Sequence, residues 1–303
     1  MRMRGVELRL RNGFIRSILA GMLFLFLTNS ANFVKAAAAS NHRSIDSLIN
    51  EGFISANFVS LGGYQGNCVQ ASLENKTGSL VYVLIEAGRR LIAEDSSCQD
   101  IFIVKDNKVK LEPWAKLITN VFGFCCISSN SAPKAKMKFA VGYMAPPDWL
   151  RLAQFINASN FDNSTIQSAV WCISNNHSIS SVYGKPEALV KALKDTLGAI
   201  KKIPVPWYTT TYESSSTSVF SGNPERISGR FNYYIKHHGH LVVAIKNKNG
   251  TTVKVLSEFE NQGQGSFEYQ FDLNVKGWTK GEYHIVVYED YATVLADKLF
   301  KIE

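Results

Sequence analysis

The sequence predicts a mainly β protein with helices: a β-rich α+β domain at 40–203, a linker at 204–222 and an antiparallel β-sandwich at 223–303. Three observations predict this class. Short runs rich in Val, Ile, Tyr and Phe, bounded by turn residues, recur through both parts of the chain and are typical of strands. The apolar spacing changes to a helical period after Pro146 and Pro147. A stretch rich in Ser, Thr and Pro separates the two parts.

The first 39 residues have the pattern of a signal peptide. Five arginines lie within the first 16 residues, an apolar run follows at Ser17–Leu27, and the small residues after it predict cleavage between Ala36 and Ala39. The run is shorter than the roughly 20 apolar residues of a membrane-spanning helix, so no transmembrane span is expected once the signal is removed. No cysteine near the cut is placed to receive a lipid. We therefore expect a secreted, periplasmic or cell-surface protein.

The charge of the chain is mostly a property of that signal. The full sequence has 33 basic and 25 acidic residues and a net charge of +8. Residues 1–39 hold six of the basic and one of the acidic residues, which leaves 27 against 24, a net charge of about +3. Because no basic stripe remains, nucleic-acid binding is not expected.

The elements of the first domain follow in order. Five segments indicate strands: CVQASLEN, LVYVLIEAG, DIFIVKD, KVKLEP and MKFAVGYMA. Three apolar stripes with helical spacing come next: Trp149, Leu152, Ala153 and Ile156; Ile166, Ala169, Val170 and Ile173; Leu189, Leu193, Leu197 and Ile200. Asp148 is expected to start the first helix.

The second part alternates more clearly. Six segments, RFNYYIK, HLVVAIKN, TVKVLSEF, FEYQFDLN, EYHIVVYED and VLADKLFKIE, are separated by turn signals. Asn249-Gly250 is a strong hairpin signal, because both residues tolerate positive φ. Short strands at this spacing predict a β-sandwich.

The same region carries a resemblance to known domains. The shared features are an Asn223-Pro224 opening, a hairpin from Asn249 to Val253, a Gly-rich turn, and Lys280-Gly281-Glu282-Tyr283 before the last strands. Through these features, the last 80 or so residues, about a quarter of the chain, resemble the immunoglobulin-like domains of the FlgD type and the related C-terminal sorting domains of type IX secretion. The resemblance implies an Ig-like accessory or anchoring module without catalysis. The ending KLFKIE lacks the short basic finish of a sorting tail.

Five cysteines, Cys68, Cys98, Cys125, Cys126 and Cys172, lie in the first domain. In an exported protein they are disulfide candidates. We predict that Cys68 pairs with Cys98. Because neighbouring residues of a strand point to opposite faces, only one of Cys125 and Cys126 is expected to pair with Cys172.

Two segments of this domain resemble the reactive motifs of thioester-forming surface adhesins. Phe124-Cys125 is similar to their aromatic-Cys element, and Gln167-Ser168-Ala169-Val170-Trp171 is similar to their Gln-x-Ala-Ile/Val-Trp element, with Ile166 in place of a threonine. The resemblance implies that a cysteine thiolate attacks the carboxamide of Gln167 and releases ammonia, leaving an acyl donor. Cys125 is the matching cysteine, and Cys68 is a second candidate.

Gln167 also fits an ordinary structural role. Ser164-Thr165-Ile166-Gln167 matches the capping box S/T-x-x-E/Q, in which Ser164 caps the helix and Gln167 bonds back to the Ser164 N–H. This reading is the preferred one from the sequence, with the thioester as the alternative.

Other sites have less support. His237, His238 and His240 cluster at an expected hairpin tip and are weak metal-ligand candidates. No G-x-S-x-G, H-E-x-x-H or P-loop motif occurs, and no cofactor is expected. The acids Glu94, Asp95 and Asp148 would be the carboxylates of a hydrolase.

The sequence therefore predicts an exported, non-enzymatic surface or extracellular module that binds a protein or a glycan and carries an accessory Ig-like domain. A thioester-forming covalent adhesin is the alternative, and a secreted hydrolase with an accessory domain is a third.

Overall fold

A computed structural model describes residues 41–215 and 218–303, so the predicted signal peptide and its cleavage site lie outside the described residues. The predicted mainly β class with helices is confirmed. The helices of the described part are α1 (Ile45–Asn50), α2 (Pro147–Asn157), α3 (Asn163–Ser174) and α4 (Glu187–Lys201), with a 3-10 turn at Ile179–Ser181. The strands are β1 (Arg43–Ser44), β2 (Ile54–Ser60), β3 (Gln65–Asn75), β4 (Val81–Ile85), β5 (Arg89–Ala93), β6 (Ile101–Ile103), β7 (Asn107–Leu111), β8 (Lys116–Cys125), β9 (Lys138–Met144), β10 (Tyr208–Tyr212), β11 (Pro224–Ile235), β12 (Gly239–Asn247), β13 (Thr252–Gln262), β14 (Gly265–Asn274), β15 (Gly281–Glu289) and β16 (Thr293–Ile302).

Six strands of the first half close into a barrel in the order β2-β3-β8-β6-β5-β9. A small sheet, β1-β4-β7, shares the same hydrophobic core, to which α1 contributes Ile45 and Leu48. All neighbouring barrel strands pair antiparallel. The central strand pair is β3 with β8, whose register runs from Glu74 opposite Lys116 to Gln65 opposite Phe124.

Strand β8 serves two cores because its side chains alternate between its two faces. Val121 and Cys125 belong to the barrel core, whereas Phe124 and Cys126 belong to a second core shared with the helices. The predicted opposite directions of Cys125 and Cys126 are therefore observed. Helices α2, α3 and α4 pack on this second core through the apolar faces that the sequence pattern predicts, except that α4 buries Val190 in place of Leu189.

The helix starts differ from the predicted ones. In α2 the N-cap position is Pro146 with Pro147 as the first helical residue, and Asp148 lies in the first turn. A proline suits that first position because its missing N–H would have no intrahelical partner. In α3 the N-cap is Asp162, whose carboxylate accepts from the Thr165 N–H at 2.7 Å. The predicted capping box at Ser164 is therefore wrong.

The second half consists of two antiparallel sheets that share one hydrophobic core. One sheet has the order β10-β11-β14 and the other β13-β12-β15-β16. Alternate residues of β11 and β15 fill the core, among them Ile227 and Ile285, which are fully buried. The segment predicted as a linker, 204–222, supplies strand β10 to the first sheet.

Strand β10 also contacts the helical side of the molecule. Tyr208 belongs to the sandwich core. Two positions along the strand, Thr210 is buried, and its hydroxyl accepts a hydrogen bond from Ser180 at 2.9 Å. One strand thus connects the 3-10 turn after α3 with the sandwich. In the part of the chain that the structure describes, no helix has the length and apolarity needed to cross a membrane.

Candidate functional site

Cys125 lies at the end of β8, where the barrel meets α3. Its side chain is fully buried in the barrel core. Its backbone N–H donates to the carbonyl of Tyr64 at 2.8 Å, which ties the end of β8 to the loop before β3. The backbone carbonyl of Cys125 points instead toward the helix.

That carbonyl accepts a hydrogen bond from Gln167. The Gln167 Nε2 lies 2.7 Å from the Cys125 oxygen, and the Gln167 side chain is only 2% exposed. The other carboxamide atom, Oε1, is buried without a hydrogen-bond partner among the described residues. Gln167 therefore does not return to the start of its own helix, and its carboxamide lies against the backbone of Cys125, the cysteine that the thioester resemblance names.

The Gln167 side chain can reach β8 because α3 lies close to β3. Gly66 at the start of β3 has φ of 76°, and the Asn163 Nδ2 of the first turn of α3 lies 2.5 Å from where a Cβ on residue 66 would stand. A Cβ at position 66 would displace the Asn163 side chain, and glycine is favoured there because its φ is positive. The first turn of α3 can then reach the end of β8.

A cluster of aromatic rings surrounds Trp171. Trp171 lies one turn after Gln167 and is 6% exposed. Its ring stacks on Tyr64 with centroids 6.3 Å apart, and also contacts His177 and Phe220 at 5.7 and 5.6 Å. The indole Nε1 is buried without a hydrogen-bond partner among the described residues. Sequence reasoning had found Trp171, but Tyr64 and Phe220 carry no local signal, because they reach the site only through the fold.

The cysteines of the described chain are free thiols, so the predicted disulfides are wrong. Cys68 donates to the Gly123 carbonyl, Cys126 to the Asp100 carbonyl and Cys172 to the Ser178 carbonyl, at 3.4, 3.4 and 3.2 Å. Each thiol is thus buried against a backbone acceptor instead of another sulfur. Cys98 is likewise buried and unpaired, at an isolated bridge to Ser131.

Burial keeps the thiols of Cys68, Cys126 and Cys172 protonated. It raises the pKa of Cys68 and Cys172 to about 11 and that of Cys126 to about 12. Burial also raises the pKa of Cys125 strongly, with the nearby thiol groups adding to the effect. At neutral pH Cys125 is therefore a thiol, and its nucleophilic form arises only as its proton leaves.

His177 is the titratable group beside the aromatic rings. Its Nε2 lies 3.0 Å from the Ser128 Oγ, three residues after Cys125. Burial, helped by the charge of Lys201, lowers the pKa of His177 to about 4. The ring is therefore neutral at pH 7. No motif in the sequence points to His177.

The remaining predicted site residues are dispersed. His237 and His238 are exposed in the turn between β11 and β12, while His240 pairs with Glu258 at 3.1 Å. No group of three or more metal-ligating side chains occurs in residues 41–215 and 218–303. Glu94, Asp95 and Asp148 are exposed, and Asp95 accepts hydrogen bonds from Ser97.

No family model and no curated protein matches the chain.

Proposed function

We propose that this chain is an exported surface module whose barrel-and-helix half forms an internal thioester between Cys125 and Gln167 and uses it to bind a partner covalently. One observation carries the proposal: the carboxamide of Gln167, 42 positions from Cys125 in sequence, is buried against the backbone of that residue. Buried polar groups are normally hydrogen-bonded. Here Oε1 is left without a partner among the described residues.

The chemistry is balanced without a cofactor. The Cys125 sulfur bonds to the Gln167 carboxamide carbon, the C–N bond breaks, and the thiol proton leaves with the nitrogen as ammonia. The product is a thioester, and its burial protects it from hydrolysis. An amine on a partner then attacks the same carbon, an amide forms, and Cys125 regains its proton. The protein is consumed once and does not turn over.

Cys125 is favoured over Cys68 as the nucleophile. The Gln167 amide contacts the backbone of Cys125, whereas the Cys68 thiol donates to Gly123. Both thiols lie in the barrel core, so Cys68 provides a matched control. The sandwich would serve as an accessory or anchoring module for the reactive half, as the resemblance to Ig-like domains implies.

The test is the intact mass of the purified protein after denaturation at mild acid pH. We expect the wild type and Cys68→Ala to be lighter than their sequences by one ammonia, and to gain one methylamine on treatment. Cys125→Ala and Gln167→Ala should have the full mass of their sequences and should not react. A wild-type protein with full mass and no methylamine adduct would overturn the covalent function and leave reversible binding of an extracellular protein or glycan as the proposal.

A further inference from the structure

Two buried polar atoms of α3 lie one helical turn apart without hydrogen-bond partners among the described residues. They are the acceptor Oε1 of Gln167 and the donor Nε1 of Trp171. Residues four apart lie on the same helix face with their side chains adjacent. An unpartnered donor and an unpartnered acceptor are each costly when buried, and here one of each occurs on the same face of α3 without a hydrogen bond between them.

We infer that the Trp171 indole N–H is the hydrogen-bond donor that stabilises the carbonyl oxygen of residue 167 during thioester formation and during its reaction with an amine; the inference rests on the proposed function. When sulfur adds to the carboxamide carbon, the C=O π electrons move onto the oxygen. That oxygen carries negative charge until the C–N bond breaks and ammonia leaves. A donor aimed at this oxygen lowers the barrier because the interaction is strongest in the transition state.

Neighbouring rings hold the Trp171 indole in place, and the other nearby hydrogen-bond donors have partners of their own. The ring contacts Tyr64, His177 and Phe220, so three neighbours restrict its rotation. His177 is neutral at pH 7 because burial lowers its pKa to about 4, and its Nε2 pairs with Ser128. The remaining carboxamide donor, the Gln167 amide, is bound to the Cys125 carbonyl and departs with the ammonia.

The reverse step uses the same contact. When an amine attacks the thioester, negative charge again gathers on the oxygen of residue 167, and the C–S bond breaks in place of C–N. Trp171 would therefore act on both reactions, and not only as a shield against water. A shield and a donor are distinguishable, because phenylalanine retains most of the apolar ring and lacks the N–H.

The experiment compares Trp171→Phe with Trp149→Phe, a control tryptophan whose ring packs on Phe102. The readout is the rate of methylamine incorporation by intact mass, beside the fraction of protein that has lost ammonia. Losing one such donor should slow the reaction about a hundredfold or more in Trp171→Phe, with Trp149→Phe at the wild-type rate. A folded Trp171→Phe protein that loses ammonia and reacts at the wild-type rate would overturn the inference while leaving the thioester intact. Full mass in the wild type would overturn the proposed function itself.

A second measurement does not depend on the folding of Trp171→Phe. The indole N–H resonance of Trp171 in the wild type, assigned with single Trp→Phe variants of Trp149 and the other tryptophans, is compared with that of Gln167→Ala, which lacks the oxygen. Hydrogen bonding to the oxygen of residue 167 should move the resonance downfield in the wild type relative to Gln167→Ala. An unchanged resonance would contradict the inferred contact.

Discussion

The side-chain amide of Gln167 donates to the backbone carbonyl of Cys125 at 2.7 Å and joins the second turn of α3 to the last residue of β8. Because the acceptor is a backbone atom, the contact survives any substitution of the cysteine side chain. The hydrogen bond and the thioester chemistry can therefore be tested separately.

The first prediction concerns the hydrogen bond alone. In a Cys125→Ala background, which removes the thiol and retains the carbonyl, Gln167→Ala should lower the free energy of unfolding by about 1–3 kcal/mol, because a buried carbonyl loses its partner. Gln154→Ala, an exposed glutamine on α2, controls for helix propensity and should change stability by about 0.5 kcal/mol or less. Equal effects in urea unfolding would show that the buried contact contributes nothing to stability.

The second prediction concerns the start of α3. Asp162→Ala should cost about 1 kcal/mol, a typical value for the loss of an N-cap acceptor, because it removes the bond to the Thr165 N–H. Ser164→Ala should cost much less, since the Ser164 hydroxyl donates to Asp162 and caps no backbone N–H. Thermal denaturation of the two variants measures the difference. A larger loss of stability in Ser164→Ala than in Asp162→Ala would contradict this prediction and support the capping box.

The sequence predicts the helices and strands better than it predicts which of them lie next to each other in the fold. The helix stripes lie where their apolar spacing places them, because burial of one face selects a 3.6-residue period. Strands β11–β16 lie at the segments that the alternation predicts, although residues 241–245 of β12 are all buried. The barrel closure has no comparable signal, since strands β5 and β9 are brought together only when the sheet curves on itself. Helix α1 escaped detection because six residues are too short to establish a period.

In the candidate site, too, local sequence patterns did not predict which groups are in contact. The letters around Ser164 fit a capping box, and local pattern alone preferred that role for Gln167. Asp162, two residues earlier, is the better acceptor, and its carboxylate takes the position. This leaves Gln167 free to point at β8. The cysteine pairs were likewise inferred from spacing and alternation, but the observed thiols bond to the backbone carbonyls of Gly123, Asp100 and Ser178.

The third prediction follows from the free thiols. A phosphine reductant, which cleaves disulfides and supplies neither a thiol nor an amine, should leave the melting temperature of the first half unchanged, because Cys68, Cys98 and Cys172 have no sulfur partner. Under denaturing conditions, alkylation without reductant should modify every cysteine except one held in a thioester. A reductant-dependent fall in the melting temperature, or a pair of cysteines released only by reduction, would re-establish a disulfide.

The last prediction concerns pH and His177. Burial lowers the pKa of His177 to about 4 in the folded protein, whereas an unperturbed histidine titrates near 6.5 in an unfolded chain. Between these values the unfolded chain binds more protons than the folded one, so the free energy of unfolding falls as the pH falls from about 6.5 toward 4. His177→Phe retains an aromatic ring against Trp171 and Phe220 but cannot titrate, so its stability should depend less on pH in this window. His237→Phe, at an exposed turn, is the control and should follow the wild type. Urea unfolding at several pH values measures the two slopes. Equal slopes for His177→Phe and the wild type would mean that the imidazole takes up its proton in the folded protein as readily as in the unfolded chain.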